Sequence, residues 1–442
     1  MIVITSLGAT ESLIKEAVDY GLNYYRFPLL CANPRCYVPE KMYDGIVEKS
    51  KMYIPPLIPA SIMPSPVISI PYIPVTKITI TPELQLVPTL LAEQPKAVYY
   101  GNPGKSQFPG DNYNHNLARS VWDMQYHKGR IYIGYGDSWG NQGPINVQSV
   151  ANNETGFRQE ITIMEESCYL LREYENKLII PGTDACGDTQ GAIYIKNDIW
   201  KTISIYATHI VDACYSDNAL YTILTRGQSS LLMKADGNIW KTLLEFPTFN
   251  DGFFGCCFPF DDCVVFETSE KSNQYFYRVA KDDKIEKLFS HPSYSVGASI
   301  YRSVRYKNGY LLVFSYPLHV QYAPYPLYFF TLNNITMVDF FRNTNVRDIV
   351  VRDYDIYVLT AEVKNSSFWG YIYHSSDMKN WELLSSFNLT SMPNSMELLE
   401  TTFYVGTCIK EINDTIVESD SGSIYKIQMN PSGPAPVGVL HF

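Results

Sequence analysis

The chain has 442 residues, 46% of them hydrophobic and 18% charged, a balance that belongs to globular rather than disordered proteins. Its formal net charge of −10 argues against a nucleic-acid binder, which needs a basic footprint. The 35 tyrosines and 21 phenylalanines favour β-structure, because aromatic side chains suit pleated, half-buried surfaces.

In chain order, residues 1–53 read as an N-terminal helical or anchor segment. The start has no basic stretch followed by an apolar core and a cleavage site, so no secretory signal is expected. Over 9–22, "ATESLIKEAVDYGL" sets Leu13, Ile14, Ala17 and Val18 on one stripe and predicts a helix, with Thr10 or Ser12 able to cap it. Cys31 and Cys36 could form a small bridge or half a zinc site. A lone pair among nine scattered cysteines makes neither a disulfide framework nor a metal centre. No metal and no cofactor is assigned.

Residues 54–95 form an extended arm. Prolines at 55, 56, 59, 64, 66, 71, 74, 82 and 88 remove backbone donors and fix φ, which rules out a helix or a central strand. Ile, Leu, Val and Met fill the gaps between them, so the arm has apolar surface to lay against its own domain or a neighbouring subunit. Residues 1–95 are therefore expected to contact protein subunits of a larger assembly. No apolar run reaches the length of a membrane span, roughly 18 residues.

From 96 to 442 a repeat emerges. Polar turns feed apolar strands that begin at Ile131, Leu178, Leu220, Val264, Leu311, Ile356 and Phe403, at intervals of 42 to 47 residues. A second hairpin signature follows most of them, as in "AIYIKNDIWKTI" and "YIYHSSDMKNWELL". Four strands per unit at this period predict an all-β fold, a seven-bladed β-propeller preceded by the helix and the Pro-rich arm. The ring needs a closing strand, and "KAVYYG" (96–101) and "VGVLHF" at the C-terminus are the two candidates. Innermost strands are expected at 119–126, 166–174, 209–215, 253–260, 299–306, 346–354 and 394–400.

Two resemblances follow from these segments. "YHSSDMKNWELL", with Ser375, Asp377 and Trp381, is similar to the Asp-box turn of sialidase-like propellers, and "KADGNIWKTL" looks like a degenerate copy. In that family the turn is structural. Gly134-Tyr135-Gly136-Asp137 with Gly143-Pro144, then Pro181-Gly182 with Asp184, then His209 with Asp212 resemble a set of poorly characterised bacterial and viral propellers over roughly 115–245. That likeness implies a fold and no established activity. Arg119, Arg172, Arg302, Arg305 and Arg347 are available for a sialidase-type triad, but none sits in the expected early motif.

Candidate ligand residues come from the loop after the first repeat, Asp137, Trp139 and Asn141, and from polar groups expected near the channel, Glu166, Asp184, His209 and Asp212. Carboxylates beside an imidazole could do acid–base work or hold a cation; equally, they could pair across the channel. Arg119, Arg302 and Arg347 could bind an anion or pair with carboxylates, and Asp123 and Asp348 are expected to tie turns. No catalytic residue is assigned. The reading that results is a binding propeller displayed on a larger assembly, a virion surface above all, or else cytoplasmic. It would recognise host-surface glycan or protein. A carbohydrate-active hydrolase or lyase at the channel mouth and a purely structural propeller are the alternatives.

Overall fold

The computed structural model describes residues 96–428 apart from 139, 188–189, 238, 247–252, 271–272, 293–298, 316–324, 365–366, 410, 413–414 and 417–420. The expected helix, the arm, Cys31, Cys36, Trp139 and the C-terminal "VGVLHF" lie outside the described residues.

Seven four-stranded antiparallel sheets follow one another along the chain. Their inner strands, for blades 1 to 7, are Asp123–His127, Arg172–Tyr174, His209–Ser216, Phe253–Pro259, Ser299–Tyr306, Val346–Arg352 and Met392–Leu399. Each inner strand touches the next, and the seventh touches the first. The chain is a seven-bladed β-propeller. All seven repeat residues picked out above lie on second strands, one per blade. In blades 1 to 3 the second strand follows a tight turn whose two residues take the left-handed conformation that two-residue hairpins need. Lys128-Gly129, Glu175-Asn176 and Asp217-Asn218 have positive φ at both positions.

The ring is closed from the N-terminal side. Blade 7 takes its outermost strand from Val98–Gly101, which pairs with Ile424–Gln428. Tyr100 packs edge-on against Phe157 and Tyr404 and donates its O–H to the Glu154 carbonyl at 3.0 Å. The apolar core is divided among the gaps between blades: one cluster joins blades 2 and 3, and others join 3 and 4, 4 and 5, 5 and 6, and 6 and 7, while the largest gathers blade 1 with both its neighbours.

Two expected boundaries are corrected. Arg119 does not begin an inner strand; it ends a short helix, Tyr113–Arg119, capped by the Asn112 side chain, which accepts from the His115 N–H. Glu166 is not on the inner strand of blade 2, which is confined to Arg172–Tyr174, but in the segment leading to it.

Candidate functional site

Inner strands all run the same way along the channel, so it has an upper end, where they begin, and a lower end, where they turn. Carboxylates from four of them make the same contact. Asp123 accepts the Met124 N–H of its own strand and the Leu171 N–H of blade 2, at 3.0 and 2.8 Å. Asp212 does so for Ala213 and for Cys257 of blade 4, and Asp348 for Ile349 and for Met396 of blade 7. Glu397 completes the circuit, accepting from Leu398 and from Tyr126 of blade 1, both at 2.7 Å. These carboxylates are clasps between neighbouring blades. Each is satisfied by N–H donors that would otherwise be buried without partners.

Arginines complete the layer. Arg172 donates to Asp212 at 3.2 Å, Arg302 to Asp348 at 2.9 Å and Arg352 to Glu397 at 2.6 Å. Arg302 also lies 3.6 Å from Asp123 and donates to the Trp122 carbonyl. Burial pushes the Asp123 carboxyl up to about 6 against the pull of Arg302, and burial raises Glu397 as well.

At the upper end Tyr301 of blade 5 reaches across the channel and donates to the Trp122 carbonyl at 3.0 Å, while Asn394 of blade 7 donates to the Val121 carbonyl, just before the adjoining blade 1, at 2.9 Å. Beneath this layer, and lined by its Asp123, Arg172, Arg302, Asp348, Arg352 and Glu397, a cavity of about 520 Å³ opens among the hairpin turns. Its walls carry Tyr174, Tyr215, Phe260 and Tyr310, with Arg305, Glu175, Asp217 and Asp261 among its charged residues. Arg305 sits 4.9 Å over the Phe260 ring and Lys177 4.0 Å over that of Tyr215.

The residues singled out from the sequence fall into three places. Asp137, Glu166, Asp184 and His209 come together at the upper end, all 3% exposed or less. A run of backbone bonds links them: the Asp137 N–H donates to the Glu166 carbonyl at 2.9 Å and the Glu166 N–H to the Asp184 carbonyl at 2.7 Å. His209 Nδ1 lies 3.0 Å from the Thr183 carbonyl and 3.5 Å from Asp184 Oδ1. Asn141 is exposed on the loop above them, with φ +50°. Asp212 does not join this group: its carboxylate faces Arg172 and blade 4, in the channel layer with Arg302.

The remaining two arginines stand apart. Arg119 is fully buried and holds the preceding loop, donating to the carbonyls of Phe108 and Gly110 and to Asp111. Arg347 is half-buried, with its guanidinium 5.5 Å from the Tyr325 ring centroid.

Sequence reasoning passed over Glu165, whose carboxyl accepts the Tyr194 O–H at 3.3 Å and is pushed up to about 8, chiefly by burial. Its signal was an acidic pair, Glu165-Glu166, inside an otherwise apolar stretch. Among the described residues no group of three His, Cys, Asp or Glu side chains is arranged to hold a metal ion.

No family model matches the chain, and no curated protein matches it. Solved structures are similar in fold. The computationally designed Ika8 protein is 9% identical, covering 76% of this chain and all of that one, with a TM-score of 0.43. The β-propeller domain of the Trilobed protease from Pyrococcus furiosus is 12% identical over 70% of this chain and 95% of that one, with a TM-score of 0.45. Pyrococcus horikoshii acylaminoacyl peptidase is 10% identical over 66% of this chain and 50% of that one, with a TM-score of 0.43.

Proposed function

We propose that this propeller is a non-catalytic recognition module whose ligand enters the cavity at the lower end of the channel. One observation carries the reading: the ionisable groups deep in the channel hold one another and the backbone of neighbouring blades. A group engaged in that way stabilises the ring and is poorly placed to exchange protons with a substrate. The acid–imidazole group at the upper end supports the same view, since its side chains are buried. Tyr174 and Tyr215, both half-buried, give the cavity aromatic wall beside charged groups, the mixture that binds amphipathic ligands.

The ligand class in this proposal is host-surface glycan or protein. Residues 1–95 would attach the module to a larger assembly, with a virion surface as the setting; the apolar Pro-rich composition of 54–95 is what supports that part. The Asp-box-like turn at Ser375, Asp377 and Trp381 fits a sialidase-like ancestry without implying its chemistry.

Binding of the full chain to a glycan array and to host-cell surface protein tests the proposal. Tyr215→Ala and Arg305→Ala are expected to abolish the signal, whereas His209→Ala is expected to lower stability and leave binding intact. A signal lost with His209→Ala but kept with both cavity variants would move the site to the upper end. Turnover of a glycoside panel would replace the proposal with an enzyme.

A further inference from the structure

The third strand of blade 6, Ser367–Ser375, differs from those of blades 1 to 3; it shares its alternating burial with that of blade 4, Asn273–Ala280, where Tyr275 and Tyr277 are half-buried. Third strands in blades 1 to 3 bury both faces along most of their length. Here only one face is buried, by Phe368, Gly370 and Ile372. The opposite face presents Trp369, Tyr371 and Tyr373, and all three are only half-buried. A fold that gains stability by covering large rings leaves Trp369 and Tyr371 side by side on this face.

Their geometry is ordered. Trp369 and Tyr371 have ring centroids 6.5 Å apart with planes 21° from parallel, and Tyr371 and Tyr373 are again 6.5 Å apart at 30°. Alternate residues of a strand repeat at this distance. Tyr373 is covered by the turn that follows blade 5, where Phe341 meets it at 5.8 Å. Beyond it, Trp369 and Tyr371 line a groove of about 400 Å³ with Lys364, Ser367 and Asn388. Cross-strand pairing sets Glu362 and Asn388 on either side of Trp369. Tyr371 donates its O–H to Glu362, which fixes the ring before any ligand arrives.

From this strip we infer a carbohydrate site, separate from the channel cavity, that takes an oligosaccharide lying along the strand. Rings in a row match the apolar C–H faces of successive pyranoses. The ammonium, hydroxyl and amide groups at the edges match their hydroxyls. A purely apolar partner would desolvate Lys364 with only its ion pair to Glu362, at 3.6 Å, and cover the Asn388 amide, which is costly. The inference rests on the recognition-module reading and gives it one ligand class.

The test uses the full chain expressed in bacteria, so that Asn388, which opens the Asn-Leu-Thr acceptor sequence 388–390, carries no sugar of its own. Hexasaccharides of β-1,4-glucose, α-1,4-glucose and β-1,4-N-acetylglucosamine are titrated while tryptophan fluorescence and calorimetry are followed. At least one is expected to bind, and Trp369→Ala to weaken it about tenfold or more, the loss of one stacked ring. Trp369→Phe, which keeps a ring, is expected to restore part of the affinity and guards against misfolding of the alanine variant. Binding that survives Trp369→Ala but disappears with Arg305→Ala would overturn this inference and leave the cavity proposal standing. If no hexasaccharide binds, the strip is not a carbohydrate site. If the same chain made in a glycosylating host carries a sugar on Asn388 that shields Trp369, the groove belongs to the protein's own glycan and the inference also fails.

Discussion

Single carboxylates decide how the ring holds together. Asp348 receives the guanidinium of Arg302, the Ser395 hydroxyl at 2.8 Å and two backbone N–H groups. Replacing it by Ala leaves Arg302 buried beside the single, more distant Asp123 and strands two amides. The expected cost is about 3–5 kcal/mol, the usual result of breaking a buried pair, read from the shift of a urea midpoint. Asp348→Asn, which can still accept but carries no charge, should fall between the two. Glu267 poses the opposite case. It is fully buried on the second strand of blade 4 (Cys263–Glu270), and burial pushes its carboxyl up to about 8, only partly offset by bonds from Ile300 and Gln274. An unfolded Glu titrates near about 4.3, so the folded state takes up a proton. The stability it contributes is complete below that unfolded value and is lost as the pH rises through about 8. Glu267→Gln should therefore be more stable than the parent at pH 9, with the difference shrinking towards pH 5. Denaturation at a series of pH values measures this, and a difference that does not change with pH would refute it.

Among the elements, the close approach of one blade to the next is set by glycines at strand ends. Gly134 closes the second strand of blade 1, Arg130–Gly134, and its carbonyl accepts the Trp122 N–H at 2.9 Å. A Cβ there would stand 2.5 Å from the carbonyl oxygen of Cys168, so backbone would have to move. Gly134→Ala should cost about 1–3 kcal/mol, while Gly156→Ala, with open space around it, should stay within about 0.5 kcal/mol; thermal melts of the two variants decide. These elements also show what the sequence could tell. Second strands were legible because each follows a short polar turn, with positive φ at both turn residues in blades 1 to 3, and because their apolar residues recur at a steady period. Where the side chains of the inner strands point was not legible. A bulge interrupts the register between Ile210 and Asp212, between Ile300 and Arg302, and between Val346 and Asp348. One extra residue moves a side chain to the other face, and nothing in the residue types marks it. The grouping of Asp212 with His209 failed because their partners differ: Asp212 is held by Arg172 and the Cys257 N–H, while His209, at the start of the strand, meets the Thr183 carbonyl. Arg119 was misjudged because Asn112, seven residues earlier, starts a helix that periodicity over so short a span does not reveal.

For the whole molecule the decisive feature is closure. Six blades are built from consecutive strands, but the seventh borrows Val98–Gly101 from more than three hundred residues upstream. Without it, Ile424–Gln428 would be a bare edge, offering unpaired N–H and C=O groups to any other strand. The same segment anchors Tyr100 in the contact between blades 7 and 1, where its ring meets Phe157 and Tyr404. Deleting residues 98–101 from the full chain should therefore do two things. Stability should fall by on the order of 3 kcal/mol from the lost ladder bonds alone, with the uncovered aromatic surface adding to it. The chain should also self-associate with rising concentration, since the exposed edge can pair between copies. Tyr99→Ser is the control, because that side chain is 59% exposed and its backbone pairing survives the change; it should leave both properties close to those of the parent. Light scattering across a concentration series, with denaturant melts on the same samples, separates the outcomes. A deleted chain that stays monomeric and melts like the parent would mean that the seven gaps between blades hold the ring shut without the borrowed strand.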